Sequence, residues 1–220
     1  MCGRFTQAYT WRELVALYRL TVPASNLEPR YNIAPTTTID AVISRGDHFE
    51  LARMRWGLIP SWWNKTAKEA PSTFNARAET VAEKPMFRSA FKRSRCLIPA
   101  SGYYEWKATP DGKQPYYITA KDEPVLSFAG LWDEWTNAET GVPIKSATII
   151  VTAANKFAAQ IHDRMPVILA PDQFDAWLGG TAGTDILKSA SENMLSMRPV
   201  SRRVNKVGND NDPTLIEAMQ

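Results

Sequence analysis

The sequence predicts a single α+β domain built mostly from antiparallel strands, with short helices at its periphery. Three observations support this prediction. Segments typical of strands recur along the chain and are separated by turn residues. No internal repeat, low-complexity tract or break in composition divides the 220 residues. A hydrophobic fraction of 44% with 22% charged residues is typical of a globular protein, so we assign one domain to residues 1–220.

The individual elements follow from local patterns. Thr10 and Glu13 have the spacing of a capping box, which predicts a helix over about 10–20. The segment 30–35 is expected to be irregular. Trp62 and Trp63 fall in a loop, where both rings can be packed or one can be exposed. Strands are predicted over 38–44, 49–56, 96–99, 114–120, 125–135, 147–152 and 199–205, and helices after 75–80 and over 156–161, 171–178 and 184–194.

The cysteine count and the apolar runs indicate where the protein works. Two cysteines, Cys2 and Cys96, favour free thiols in a reducing compartment over a disulfide framework. No apolar run reaches the roughly 18 residues of a membrane span, and the first residues lack the pattern of a secretion signal. We therefore expect a soluble, cytoplasmic protein. The net charge of +3 is too small to indicate a nucleic-acid partner alone.

Metal and cofactor motifs are missing from the sequence. Its two histidines, His48 and His162, and its two cysteines do not have zinc-ligand spacing. It has neither a Walker loop nor a dinucleotide-binding glycine motif. We expect no metal and no cofactor. His48 lies beside a predicted turn, whereas His162 precedes Pro166 in a segment of charged residues.

The second residue offers unusual chemistry if Met1 is removed. Cys2 would then carry an α-amine and a thiol on neighbouring carbons, a 1,2-aminothiol that condenses with aldehydes to a thiazolidine. With pKa values of about 8 for the amine and about 8.5 for the thiol, both groups are partly nucleophilic near neutral pH. The alternative is that Cys2 belongs to a frayed terminus and has no role.

Further polar residues stand out along the chain. Asn75 and Arg77 are two positions apart, so on a strand their side chains share a face. Glu105 lies between Tyr104 and Trp106, where partial burial would raise its pKa and suit it to proton transfer. The alternative is a surface glutamate paired with Lys107. A basic segment over 84–95 is either a solvated helix face or a nucleic-acid-binding patch.

Six blocks together resemble the SOS-response-associated peptidase (SRAP) family. The match runs in order from residue 2 to about 170, and six blocks in register are highly specific. The tail from about 171 adds no matching motif. The blocks are Met1-Cys2-Gly3-Arg4-Phe5, Tyr31-Asn32-Ile33-Ala34-Pro35, Trp56-Gly57-Leu58-Ile59-Pro60 with Trp62-Trp63, Asn75-Ala76-Arg77-Ala78-Glu79, Gly102-Tyr103-Tyr104-Glu105-Trp106 and His162-Asp163-Arg164-Met165-Pro166.

This resemblance implies a monomeric protein that crosslinks to abasic sites in single-stranded DNA through Cys2. It implies a β-barrel-like core with helices around it. Glu105 would be the acid and base of the reaction, Asn75 would hold the N-terminus or the sugar, and His162 would assist proton transfer. Phosphates would be bound by Arg4, Arg77 and Arg164, and a base would stack on Trp62 or Trp63.

Two other functions remain open from the sequence. The family name suggests a thiol peptidase, which would cut its own Met1 bond or other chains with Cys2 as nucleophile and His162 as base. General proteolysis is disfavoured because the sequence contains no readable oxyanion-hole motif. The remaining alternative is a DNA-binding module without chemistry.

Overall fold

Strands make up most of the structure, a computed structural model that describes residues 2–21 and 26–219. The described strands are β1 (Arg4–Gln7), β2 (Arg30–Ile33), β3 (Thr38–Arg45), β4 (His48–Trp56), β5 (Asn75–Arg77), β6 (Arg95–Ala100), β7 (Gly102–Thr109), β8 (Gly112–Ala120), β9 (Leu126–Thr136), β10 (Pro143–Ala153), β11 (Arg164–Pro166) and β12 (Leu195–Pro199). The described α-helices are α1 (Trp11–Tyr18), α2 (Arg88–Arg93) and α3 (Phe174–Leu178).

The strands form two sheets, and one of them closes on itself. The five-stranded sheet has the order β12-β8-β7-β1-β2, and its described pairs are antiparallel. In the other sheet β10 pairs with both β4 and β9, so β10, β4, β3, β6 and β9 form a small barrel. Most pairs are antiparallel, although β10 runs parallel to β4 and β5. The predicted α+β, mostly antiparallel fold with a barrel-like core is confirmed.

Strand β1 is fixed in its sheet by a buried hydroxyl cluster. The Oγ1 atom of Thr6 lies 2.8 Å from Ser101 Oγ and 2.8 Å from Tyr117 Oη. Gly102 makes room for this contact, because a Cβ atom there would lie 2.5 Å from Tyr117 Oη. Phe5 points to the opposite side, where its ring lies 4.9 Å from that of Trp56. Both faces of β1 are therefore held, which fixes the position of the residues before it.

The helices cover the outer side of the barrel. Helix α1 begins with the predicted capping box, in which Thr10 Oγ1 accepts from the Glu13 N–H and Glu13 accepts from the Thr10 N–H. Tyr18 and Phe174 stack with ring centres 5.3 Å apart, which joins α1 to α3. These contacts belong to a core outside the barrel, whereas Cys2 lies in a second core that includes its interior.

Two predicted elements in the last third of the chain are wrong. The helix expected over 184–194 is replaced by 3₁₀ turns at Thr184–Ile186 and Glu192–Met194. Ser189, Ser191 and Asn193 lie in this segment, and such side chains compete with helical hydrogen bonds. The strand expected over 199–205 ends at Pro199, which has no N–H to continue the ladder, and Arg202–Asn205 forms a 3₁₀ turn.

Three further predictions need correction. Residues Arg30–Ile33 were expected to be irregular, but they pair with β1 as β2. The helix expected after 75–80 begins only at Arg88, beyond turns that include Pro85. The helix expected over 156–161 is a single 3₁₀ turn at Ala158–Gln160, where Asn155 Oδ1 accepts from the Ala158 N–H at 2.8 Å.

Candidate active site

Pairing of β1 with β7 brings Cys2 and Glu105 to the same end of the five-stranded sheet. Arg4 lies opposite Tyr104 in an antiparallel register, so the residues before Arg4 run beside the residues after Tyr104. Cys2 is fully buried, and the charge of Glu105 acts on its thiol. Two residues far apart in sequence are thus joined by the register of one strand pair.

Asn75 holds the backbone of Cys2. It begins β5, which runs parallel to β10 with Asn75 opposite Ile149. From there Asn75 Nδ2 donates a hydrogen bond to the Cys2 carbonyl oxygen at 2.8 Å. The structure therefore brings Asn75 to the candidate nucleophile from a different sheet.

Glu105 supplies a buried carboxyl group. It is only 3% exposed, which contradicts the alternative of a glutamate on the strand surface. Burial raises the pKa of Glu105 to about 7, which is the expected direction, although the flanking Tyr104 and Trp106 pack together on the opposite face of β7. A carboxyl group with this pKa is present in both protonation states near neutral pH, so it can donate and accept protons.

The Cys2 thiol is held in its protonated form. Burial raises its pKa well above the ordinary value, and the negative charge of Glu105 adds to this shift. Both cysteines are free thiols, as predicted, and burial also raises the pKa of Cys96. Any reaction at the Cys2 sulfur therefore needs a base that removes its proton.

His162 lies between β10 and β11 and is partly buried. Its Nδ1 lies 3.0 Å from both the Arg164 backbone N–H donor and Asp163 Oδ1. The nitrogen cannot accept from Arg164 and donate to Asp163 at once. Burial lowers the pKa of His162, although the charge of Asp163 and the Arg164 backbone oppose this shift. The lowered pKa favours the neutral ring, which accepts from Arg164 and carries its proton on Nε2.

Glu105 and His162 line a common cavity of about 370 Å³. Its other walls are residues that the sequence analysis did not single out: Trp106, Lys113 and Asn205. The indole N–H of Trp106 donates to Asn205 Oδ1 at 2.7 Å, so the C-terminal segment closes one side of the site. The Asp111-Gly112 turn could have shown that Lys113 faces back toward β7, but no local pattern points to Asn205.

Tyr103 is another residue that the sequence analysis missed. It projects from the same face of β7 as Glu105, because side chains alternate along a strand. Burial raises the pKa of Tyr103, and the charges of Cys2 and Glu105 raise it further. Tyr103 Oη and Asn75 Oδ1 are buried without a hydrogen-bond partner among the described residues. Two polar atoms near Cys2 thus retain hydrogen-bonding capacity.

The three predicted phosphate-binding arginines occupy different environments. Arg77 is exposed at the end of β5, opposite Val151 of β10, and Arg164 lies on the other side of β10, where it forms an ion pair with Glu79. Arg4 is more constrained. Its Nη1 donates to Asn32 Oδ1 at 3.0 Å and to a backbone carbonyl of the C-terminal segment at 2.8 Å.

The two adjacent tryptophans differ in exposure. Trp62 is 52% exposed, whereas Trp63 is partly buried and its indole N–H donates to the Thr66 carbonyl at 3.0 Å. The expectation that one of the rings can be exposed is confirmed. Trp62 has the more accessible ring for stacking.

Neither a metal centre nor a membrane span is found in the described part of the chain. Within residues 2–21 and 26–219, no group of three or more metal-ligating side chains is placed to hold an ion. No helix in these ranges has the length and apolar character that a membrane crossing requires. A larger cavity of about 530 Å³ borders Asp40 and Arg53, but none of the predicted site residues lines it.

Known proteins are similar to this chain in sequence and fold. The model of the SOS response associated peptidase (SRAP) family matches residues 1–207. The abasic site processing protein YoqW of Bacillus subtilis is 38% identical over 99% of this chain and 100% of its own length. The abasic site processing protein YedK of Escherichia coli is 34% identical over 95% of this chain and 96% of its own. A crystal structure of a protein from Bacteroides thetaiotaomicron matches with a TM-score of 0.88 at 28% identity, covering both chains completely. Because the family model and these relatives cover nearly all of the sequence, the chain belongs to the SRAP family.

Proposed function

We propose that this protein binds abasic sites in single-stranded DNA and bonds to them covalently through Cys2 after Met1 is removed. The observation that carries the proposal is the arrangement at Cys2. Asn75 holds its carbonyl, and the carboxyl group of Glu105, with a pKa of about 7, acts on its thiol. The abasic-site-processing names of its relatives support this class of substrate.

The reaction joins both functional groups of the mature Cys2 to one carbon. An abasic deoxyribose opens its ring to an aldehyde at C1′. The α-amine adds to C1′ and the resulting carbinolamine loses water to form an imine. The sulfur then adds to the same carbon, and its proton is transferred to the nitrogen. The product is a five-membered thiazolidine, and one water is released overall.

The buried groups move the protons that these steps require. Protonated Glu105 donates to the oxygen that leaves as water, and ionised Glu105 accepts a proton from the Cys2 thiol, whose pKa is raised. The neutral ring of His162 lines the same cavity as Glu105 and assists proton transfer. Asn75 orients Cys2 through its carbonyl. Held in this geometry, the thiol captures the imine before the sugar loses its 3′ phosphate, so the crosslink shields the lesion from strand cleavage.

The arginines and the exposed tryptophan hold the DNA strand. Arg77 and Arg164, on either side of β10, bind phosphates, with Arg4 beside the reacting end of β1. Trp62 stacks on a base, which is how many single-strand binders combine basic and aromatic groups. Trp63 supports its ring, since their ring centres are 6.2 Å apart. The protein acts as a monomer on cytoplasmic DNA.

A peptidase role limited to Met1 is the second candidate, and the family description favours it. Cys2 would attack the Met1 carbonyl with His162 as the base. Proteolysis of other chains is disfavoured, because the sequence contains no readable oxyanion-hole motif.

Intact-mass measurement tests these functions together. The purified protein is incubated with single-stranded oligonucleotides that contain an abasic site or are unmodified. We expect a heat-stable adduct with the abasic strand only, with the mass of the Met1-free protein plus the oligonucleotide minus one water. Retention of Met1 by an extension ahead of Cys2 should abolish it. A stable adduct from the extended protein would instead indicate a simple thiol nucleophile.

A further inference from the structure

A second basic surface lies on α2, outside the cavity at Glu105. We define the α2 patch as Trp62, Arg88, Lys92 and Arg93, which line a cavity of about 460 Å³ together with Pro85 and Ser89. None of these lining residues is acidic. The patch therefore combines three positive charges with an exposed aromatic ring.

The described residues offer these three cations few partners within the protein. Among the described residues, none of Arg88, Lys92 and Arg93 forms an ion pair, although Arg93 donates to Ser89 Oγ. Cations in the last turn of a helix are favourable, which accounts for Lys92 and Arg93. Arg88 is in the first turn, where a cation is unfavourable, and it is one helical turn from Lys92, a like-charge spacing that destabilises helices. Helix stability thus does not explain Arg88.

Trp62 gives the patch a fixed stacking surface. Its ring packs edge to face on Trp63, and the Trp63 indole N–H is bound to the Thr66 carbonyl. Half of Trp62 nevertheless remains exposed. An exposed aromatic ring beside a row of cations is typical of surfaces that bind single-stranded nucleic acid.

The α2 patch is joined to the candidate active site through a shared core. Ala76, next to Asn75 in β5, packs in the same core as Phe91 of α2 and Phe87, the residue just before this helix. Arg77 is exposed at the end of β5. The strand that carries Asn75 and Arg77 and the helix that carries the patch therefore pack in the same hydrophobic core.

We infer that the α2 patch binds the phosphate backbone of the DNA strand that flanks the abasic site, with Trp62 stacked on one of its bases. This inference rests on the proposed function. It adds a contact surface outside the cavity at Glu105, since the two cavities share no lining residue. A surface with three cations and no lining acid is complementary to a polyanion, and its aromatic ring favours a nucleic acid with accessible bases.

Binding measured as a function of DNA length tests the inference. Fluorescence anisotropy compares wild type with the triple variant R88Q/K92Q/R93Q, using oligonucleotides of about 5 and about 20 nucleotides that carry a central tetrahydrofuran analogue, which has no aldehyde. For the long strand, three lost phosphate contacts should lower the log-log salt slope by about 2. Between 50 and 200 mM salt, wild type should then lose about 20-fold more affinity than the variant. The short strand should bind both proteins equally.

Controls separate this surface from general electrostatics. The variant K121Q/K188Q/K206Q removes the same charge from exposed lysines outside the patch and should behave as wild type with both strands. The inference is overturned if R88Q/K92Q/R93Q binds the long strand with the wild-type salt slope. It is also overturned if this variant loses as much affinity for the short strand as for the long strand. Because the analogue does not react, failure of wild type to crosslink a true abasic strand refutes the proposed function separately.

Discussion

Replacement of Glu105 by glutamine should stabilise the protein, and more so as the pH rises. Burial raises the pKa of this carboxyl group from 4.5 to about 7. Between these values the folded protein retains a proton that the unfolded chain has lost, so ionisation of Glu105 opposes folding. The free-energy cost of ionising Glu105 in the folded protein is absent below about pH 4.5, grows between pH 4.5 and pH 7 and is complete above pH 7. A shift of this size corresponds to about 3 kcal/mol.

Urea denaturation at pH 5 and pH 8 measures the effect. The free energy of unfolding of Glu105→Gln should exceed that of wild type by about 2–3 kcal/mol more at pH 8 than at pH 5. Any pH-independent effect of the amide cancels in this comparison. Glu123→Gln, at an exposed position, is the matched control and should follow wild type. If Glu105→Gln and wild type change in parallel with pH, Glu105 does not have a raised pKa.

Four other substitutions test the proposed chemistry and DNA binding. Cys2→Ala, with Met1 removed, should still form an imine that borohydride traps, but should cleave the abasic strand instead of forming a heat-stable adduct; gel electrophoresis distinguishes the products. Arg77→Ala should lower the salt slope of single-strand binding by about 0.7 at unchanged thermal stability, whereas Arg4→Ala should also lower the Tm, since Arg4 is tied to the C-terminal segment. Lys113→Gln should raise the DNA concentration that gives half-maximal crosslinking, because Lys113 borders the cavity at Glu105. Lys121→Gln, beyond the other end of β8, is its control. If both substitutions have the same effect, Lys113 has no specific role in the site.

The structure brings Asn75 and Glu105, two residues that the sequence analysis singled out, to Cys2. A glutamate between Tyr104 and Trp106 was expected to have a raised pKa, and the structure confirms this. The alternation of strands around turns also predicted the antiparallel fold. Such patterns are local, so they are visible without knowledge of which strands pair.

Residues contributed by distant segments were not predictable in this way. Asn205 reaches the site only through its contact with Trp106, and it lies in a segment expected to be a strand. The position of Tyr103 beside Cys2 depends on the pairing of β1 with β7, which no local pattern specifies. The 3₁₀ turns at Thr184–Ile186 and Glu192–Met194 contain no buried residue, so no apolar periodicity distinguishes them from a helix.

The hydroxyl cluster of Thr6, Ser101 and Tyr117 has a consequence for the order of events during synthesis. Thr6 and Ser101 are 95 residues apart, so β1 cannot dock until β7 has left the ribosome. At roughly 5–20 residues per second, the interval is on the order of 5–20 s. During that time the first residues remain accessible to a methionine aminopeptidase, and afterwards Cys2 is buried. If Met1 is removed by another enzyme, the translation rate between these segments sets the time available for that step, and slow codons between them should increase the Met1-free fraction.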